Sequence, residues 1–160
     1  MSEQRKGQIV TSAFGRLLLI SSILAAIACA NDALKPRETC LTIKARASLN
    51  LYDGEAHALN LLLFPLAGAT TFQETTVDDL LKNERIEGAT GRPISLMVRP
   101  SEKREFREML PPGTQFVGLV ADFYQAGLDS PGNRRALVPA RCKRFGTVKI
   151  VLTGRDLVVD

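Results

Sequence analysis

The chain has 160 residues, of which 45% are hydrophobic and 24% are charged, a composition typical of globular proteins and unlike that of disordered chains. This length predicts one domain and excludes a multidomain enzyme. The formal net charge is +4, and the single histidine excludes a histidine-rich metal site. The three cysteines are an odd number, so one of them needs a role other than an internal disulfide.

The first segment of the chain resembles an export signal. Basic Arg5, Lys6 and Arg16 precede an apolar run over residues 17–28, which is shorter than the ~20 residues of a membrane-spanning helix. Its length is that of a signal-peptide core, and its small residues end directly before Cys29. This order resembles a bacterial lipobox, which implies cleavage before Cys29 and acylation of that cysteine. The alternative is a buried apolar helix that ends in a cysteine by chance.

The segments after the apolar run predict a short tether and one folded domain. Residues 1–28 are assigned to the signal peptide, residues 29–38 to a polar tether, and residues 39–160 to the domain. Without the signal, 18 basic and 16 acidic residues remain, and they form no basic stripe, so no nucleic-acid interface is predicted. Cys40 and Cys142 would then lie in an oxidising compartment, either joined by a disulfide or buried as separate thiols.

Apolar periodicity from Cys40 onward predicts a mainly β domain. Turn signals occur at Asp53-Gly54 and at residues 111–113, and one short helix is predicted within residues 70–83, with Thr75 and Thr76 able to cap it. The near-regular spacing predicts an antiparallel β-sandwich with one short inserted helix. The predicted strands are 40–47, 58–66, 94–98, 103–110, 114–123, 135–140, 147–152 and 157–159.

The sequence contains no GxSxG, P-loop, GxGxxG or Cys–His metal spacing. His57 is expected at an exposed or edge position. The acids Glu74, Asp78 and Asp79 are expected to be capping and solvated charges. Asp122 lies in a predicted core strand, where it either faces solvent or pairs with an arginine. The sequence therefore gives no argument for an enzyme, a cofactor or a metal.

The ordered motifs resemble those of one bacterial lipoprotein family. After the lipobox come Ala47-Ser48-Leu49-Asn50 with Gly54, the apolar strand 59–66, Phe72 with Asp79-Leu80-Leu81, Leu96-Met97-Val98-Arg99-Pro100, and the segment from Pro112 to Phe123. This order is similar to that of the TssJ/VasD family, the outer-membrane lipoproteins of the bacterial type VI secretion system. Ala30, directly after Cys29, resembles the pattern that permits sorting to the outer membrane.

The resemblance implies a transthyretin-like β-sandwich that is lipid-anchored to the outer membrane and faces the periplasm. It also implies a non-catalytic role, in which the protein binds the periplasmic part of the inner-membrane component TssM and anchors the complex. In the family the loop between the first two strands is implicated in this contact, and here that loop comprises Asn50, Leu51, Tyr52, Asp53, Gly54 and Glu55. Leu51 and Tyr52 have the character of interface anchors, or else they pack beneath the hairpin.

Two other functions stay open at this point, because a sandwich does not dictate its function. A periplasmic inhibitor or ligand-binding lipoprotein on the same fold would need a deep apolar pocket. A hydrolase would have to be built on Asp122 or His57, and the sequence names no partner for either residue.

Overall fold

The computed structural model describes residues 35–83, 85–124, 132–142 and 147–160. The predicted signal peptide 1–28, Cys29 and the tether up to residue 34 lie outside the described residues. In the described part, no helix has both the length and the apolarity that crossing a membrane requires.

Ten strands and two short helices make up the described part of the chain. In order they are β1 (Arg37–Ala45), β2 (Leu51–Tyr52), β3 (Glu55–Ala56), β4 (Leu59–Leu66), α1 (Thr70–Glu74), α2 (Val77–Lys82), β5 (Ile94–Val98), β6 (Lys103–Leu110), β7 (Phe116–Ala121), β8 (Arg135–Pro139), β9 (Val148–Leu152) and β10 (Leu157–Val159). The predicted bounds of β5, β6 and β10 are confirmed. β1 begins three residues before its predicted start, so Arg37 and Glu38 belong to the sheet and not to the tether.

The first sheet has the strand order β10-β9-β1-β6, which places β1 in its interior. β1 pairs antiparallel with β6 from Arg37 to Lys44, and it pairs parallel with β9 from Leu41 to Ala45. The predicted antiparallel arrangement is therefore wrong at this one pairing. The chain reaches β9 from the other sheet and enters it at the same end as β1. Residue periodicity reports which face of a strand is buried and carries no information on strand direction.

The second sheet has the strand order β5-β4-β7-β8, with every pairing antiparallel. Its two inner strands, β4 and β7, are covered on both faces, by the first sheet on one side and by the helices on the other. This double coverage explains why residues 59–66 are apolar almost throughout and do not alternate.

Apolar side chains from both sheets meet in one core. The first sheet contributes Leu41, Ile43, Phe106, Ile150 and Leu152, and the second contributes Leu61, Leu63, Val98, Val117, Leu119 and Val138. This face-to-face burial confirms the predicted β-sandwich. A second cluster, of Phe64, Leu66, Phe72, Leu80 and Val120, lies between the second sheet and the helices.

The predicted single helix is two helices in the structure. Thr75 ends α1 in an extended conformation, and its Oγ1 donates to the carbonyl oxygen of Thr71. Thr76 then caps α2, because its Oγ1 accepts a 3.1 Å hydrogen bond from the backbone N–H of Asp79. Threonine hydroxyls compete with helical hydrogen bonds, so two adjacent threonines favour a break between helices. The predicted capping role of Thr76 is confirmed, and α1 is the element that the periodicity missed.

Gly118 in β7 lets α1 lie directly against the second sheet. A Cβ built on Gly118 would lie 2.5 Å from Cε2 of Phe72, whose ring is fully buried. We therefore expect Gly118→Ala to lower the free energy of unfolding by about 1–3 kcal/mol, because the ring has to shift in a packed cluster. Urea denaturation measures this, with Gly68→Ala as the matched control, since a Cβ at Gly68 meets no atom within 4 Å. Equal losses in both variants would contradict the packing role.

The two cysteines of the described domain form a disulfide. Cys40 lies in β1, Cys142 lies just after β8, and their Cα atoms are 4.7 Å apart. The bridge therefore fastens the connection between the two sheets to an interior strand, next to a hydrogen bond between the hydroxyls of Thr42 and Thr147. Glu38 lies beside it, but since the sulfurs are bonded to each other, this group offers no thiolate to a metal.

The topology gives the sandwich two distinct ends. The chain enters β1 at one end, here called the tether end, where the segments 35–36, 67–69, 85–93, 111–115 and 140–142 connect the strands. It leaves β1 at the opposite end, here called the hairpin end, where the segments 46–58, 99–102, 122–124, 132–134 and 153–156 lie.

Candidate interaction site

The predicted interaction loop is a two-stranded hairpin at the hairpin end. β2 pairs with β3 through Leu51 opposite Ala56 and Tyr52 opposite Glu55, which leaves Asp53 and Gly54 as the turn. Both turn residues have positive φ, 53° and 79°, as a type I′ turn requires. The turn predicted at Asp53-Gly54 is therefore confirmed, and its backbone explains the sequence, because aspartate and glycine tolerate this conformation.

Asn50 holds the base of the hairpin and is buried, with an exposed fraction of 6%. Its Oδ1 accepts a 2.8 Å hydrogen bond from the backbone N–H of Tyr124, and its Nδ2 donates to the carbonyl oxygen of Ala58 at 3.3 Å. Its φ of 47° is a left-handed conformation that asparagine adopts more readily than most residues. Among the six loop residues that the sequence singled out, Asn50 is thus placed to position the others and not to contact a partner.

The turn between β9 and β10 accepts hydrogen bonds from the base of the hairpin. The backbone N–H groups of Asn50 and Leu51 donate to the carbonyl oxygens of Thr153 and Gly154, each at 3.3 Å. The N–H of His57 donates to the carbonyl oxygen of Leu49 at 3.0 Å, which closes the base of the hairpin. An isolated two-stranded hairpin is only marginally stable in water, so these bonds keep its conformation defined.

Three rings stack along one side of the hairpin. The ring of Tyr52 lies 3.7 Å from that of His57, nearly parallel at 12°, and 4.4 Å from that of Tyr124 at 32°. Aromatic pairs of this kind are worth about 0.5–1.5 kcal/mol beyond their buried area. His57 is thus a half-buried member of the stack, and its buried Nε2 has no hydrogen-bond partner among the described residues.

The upper part of the hairpin projects from the domain. Leu51 is 47% exposed, and Asp53, Gly54 and Glu55 are exposed as well. Tyr52 is half-buried by its ring contacts. Of the two sequence interpretations, packing beneath the hairpin does not describe Leu51 and describes Tyr52 only in part.

Tyr124 is a residue of the candidate site that the sequence did not single out. It is 47% exposed and follows the core strand β7, yet its ring joins the hairpin, which lies some 70 positions earlier in the chain. The sequence offers one indication of such a role, since Tyr124 is one of only two tyrosines and directly follows a predicted buried strand.

An open groove of about 370 Å³ lies beside Tyr124 and is lined by Asp78, Leu81, Lys82, Asp122, Phe123 and Arg134. Arg134 contacts Asp78 at 3.0 Å and Asp122 at 4.0 Å, and the side chain of Asp122 is 56% exposed, so Asp122 both faces solvent and contacts an arginine. Charged residues on an open surface do not make the deep apolar pocket expected of a ligand-binding lipoprotein. Among the described residues, the charged side chain that contacts Asp122 is that of Arg134.

One comparison with known proteins identifies a family. The family model described as "Type VI secretion lipoprotein, VasD, EvfM, TssJ, VC_A0113" matches residues 37–153. No curated protein matches the chain closely enough to count as a relative.

The fold is similar to that of solved type VI secretion proteins. The lipoprotein TssJ1 from Pseudomonas aeruginosa is 21% identical with a TM-score of 0.67, and the match covers 78% of this chain and 95% of that one. Serratia marcescens Lip, described as a membrane-bound component of the type VI secretion system, is 11% identical with a TM-score of 0.65, covering 78% and 96%. A chain of the structure described as "T6SS protein TssM C-terminal domain (869-1107) from EAEC" is 15% identical with a TM-score of 0.66, covering 78% and 98%.

The family match spans most of the chain and nearly all of the described sandwich. The family is one of structural type VI secretion lipoproteins and not of enzymes. The chain belongs to the type VI secretion lipoprotein family, the family of TssJ and VasD.

Proposed function

We propose that this protein is anchored by acyl chains on Cys29 to the outer membrane, faces the periplasm, and binds a TssM-like inner-membrane component through its hairpin. The lipobox-like order of residues 16–29 and the family membership support the anchor. One acyl chain holds a protein only marginally, whereas several chains on one cysteine give durable attachment.

The anchor is tested by labelling cells with a radioactive or clickable fatty acid. Wild-type protein is expected to carry the label, and Cys29→Ser is expected to lose it and to stay unprocessed. A Cys142→Ser variant serves as the control, because that cysteine lies in the folded domain and should leave the labelling unchanged. Undiminished label on Cys29→Ser would contradict the proposal.

The exposed and rigidly held hairpin is the observation that carries the proposed partner contact. Leu51 is half exposed on a turn of fixed geometry, and Tyr52 is pre-oriented by its ring contacts, so little conformational freedom would be lost on binding. Buried aromatic anchors of this kind dominate many interfaces. The hairpin also lies at the end of β1 opposite the point where the chain enters the domain.

Co-isolation from detergent-solubilised envelopes tests the partner. The full-length lipoprotein with a C-terminal affinity tag is expected to recover the TssM-like protein of the same cell. Cells that produce the untagged protein control for background binding. Absence of that protein from the eluate, with the lipoprotein itself correctly acylated, would contradict the partner contact and leave the anchor unaffected.

A further inference from the structure

The connecting segments at the two ends of the sandwich differ in charge. Those of the tether end carry four basic side chains, Lys35, Arg85, Arg92 and Arg141, and one acidic side chain, Glu87. Those of the hairpin end carry four basic and five acidic side chains, namely Arg46, Arg99, Arg134 and Arg155 against Asp53, Glu55, Glu102, Asp122 and Asp156. The positive excess of the described domain is therefore concentrated where the chain enters it.

Hydrogen bonds join the segments that contain Arg92 and Arg141, and the exposed charges at this end are here called the basic surface. The hydroxyl of Thr90 bonds to that of Thr114 at 2.6 Å, which joins the segment containing Arg92 to the turn after β6. The backbone N–H of Ala140 donates to the carbonyl oxygen of Gln115 at 2.9 Å, which adds the segment containing Arg141. The disulfide next to Arg141 then ties this surface to β1.

Exposed apolar atoms accompany these charges. Met109, the penultimate residue of β6, is 60% exposed and lies opposite the exposed Glu38 of β1, and Pro112 in the following turn is exposed as well. Basic side chains with neighbouring apolar groups are the combination that binds the interfacial region of an anionic bilayer.

The length of the tether brings this surface close to the membrane. Lys35 follows Cys29 by six positions, so the extended chain between them spans at most about 22 Å. Electrostatic attraction to a charged surface decays over about 8 Å at physiological ionic strength. With this reach, the tether allows the basic surface to touch the headgroups but also to lie too far away for electrostatic attraction.

We propose that the tether end of the sandwich docks on anionic phospholipid headgroups and thereby turns the hairpin away from the bilayer. This inference rests on the proposed acylation of Cys29 and adds a second, electrostatic contact to the anchor. Each basic residue near an anionic surface is expected to favour the docked state by about fivefold. Docking would present Leu51 and Tyr52 to the periplasm in a fixed orientation.

The absence of tryptophan from the chain allows a clean fluorescence test. Met109→Trp places a reporter at the tether end, and Met97→Trp places its matched control on β5 near the hairpin end, since Met97 is also exposed, at 57%. Each variant is reconstituted as the acylated lipoprotein, verified by mass spectrometry, into vesicles with nitroxide-labelled headgroups. We expect quenching at position 109 to be at least twofold stronger with 30% phosphatidylglycerol than with phosphatidylcholine alone, and to be lost in 0.5 M NaCl. The reporter at position 97 should respond to neither change.

Charge-reversal variants identify which end of the sandwich binds the anionic headgroups. In the Met109→Trp background, Arg92→Glu with Arg141→Glu is expected to abolish the phosphatidylglycerol-dependent quenching. Arg99→Glu with Arg155→Glu, the same change at the hairpin end, should leave it intact. Equal quenching in both vesicles, or an equal loss in both double variants, would overturn the docking. Either result would leave the proposed function untouched, because acylation is verified on the same samples and recovery of the partner is measured in a separate experiment.

Discussion

Replacing Cys40 and Cys142 together with serine is expected to lower the free energy of unfolding by about 4 kcal/mol. The two cysteines are 102 positions apart. In the chain-entropy model, a crosslink over a loop of this length lowers the entropy of the unfolded chain and stabilises the fold by up to about 4.7 kcal/mol. A domain of this size is stable by only about 5–15 kcal/mol, so the loss would remove a large part of its stability. Urea denaturation followed by circular dichroism measures the change.

Reductant provides the internal control for this experiment. Wild-type protein in dithiothreitol is expected to approach the stability of the double variant, and the double variant itself should not respond to reductant. The two measurements separate loss of the crosslink from loss of packing at the buried Cys40 side chain. A loss below about 1 kcal/mol, or two free thiols in the oxidised protein, would contradict the stabilising role.

Much of the sandwich could be predicted because each of its strands has a local pattern. The bounds of β5, β6 and β10 follow from runs flanked by turn residues, and the almost entirely apolar sequence of β4 reports burial on both faces. The parallel pairing of β1 with β9 could not be predicted, since it depends on how the chain crosses between the sheets. The separate helix α1 was missed because Phe72 is its only buried residue.

The candidate site is likewise predictable only where its structure is local. Asp53-Gly54 predicts the turn locally, and the structure places it there. The roles of Asn50 and Tyr124 depend on a hydrogen bond across 74 positions and on the contact between the rings of Tyr52 and Tyr124, which no local pattern encodes. A sequence can therefore identify the hairpin but cannot separate the residue that positions it from those that are exposed.

Tyr52→Ala is expected to weaken binding of the periplasmic part of the TssM-like partner by about 30-fold or more, the effect of losing a central aromatic anchor. The substitution removes both the contact surface of the ring and its stacking on His57 and Tyr124, so the hairpin loses its fixed side-chain orientation as well. Leu51→Asp is expected to act similarly, because it places a charge where an exposed leucine now offers apolar area. Isothermal titration calorimetry with the purified lipoprotein measures both.

Two matched variants distinguish a contact at the hairpin from a general effect of altering the surface. Tyr52→Phe keeps the ring and its stacking and is expected to bind within about threefold of wild type, since only a hydroxyl changes. Met97→Ala truncates a side chain more exposed than Leu51 but on β5, outside the hairpin, and should leave the affinity unchanged.

Asn50→Ala should weaken binding without removing any exposed surface, because it frees the backbone N–H of Tyr124 and the carbonyl of Ala58 and loosens the base of the hairpin. Wild-type affinity in Tyr52→Ala, or an equal loss in Met97→Ala, would place the contact elsewhere on the domain.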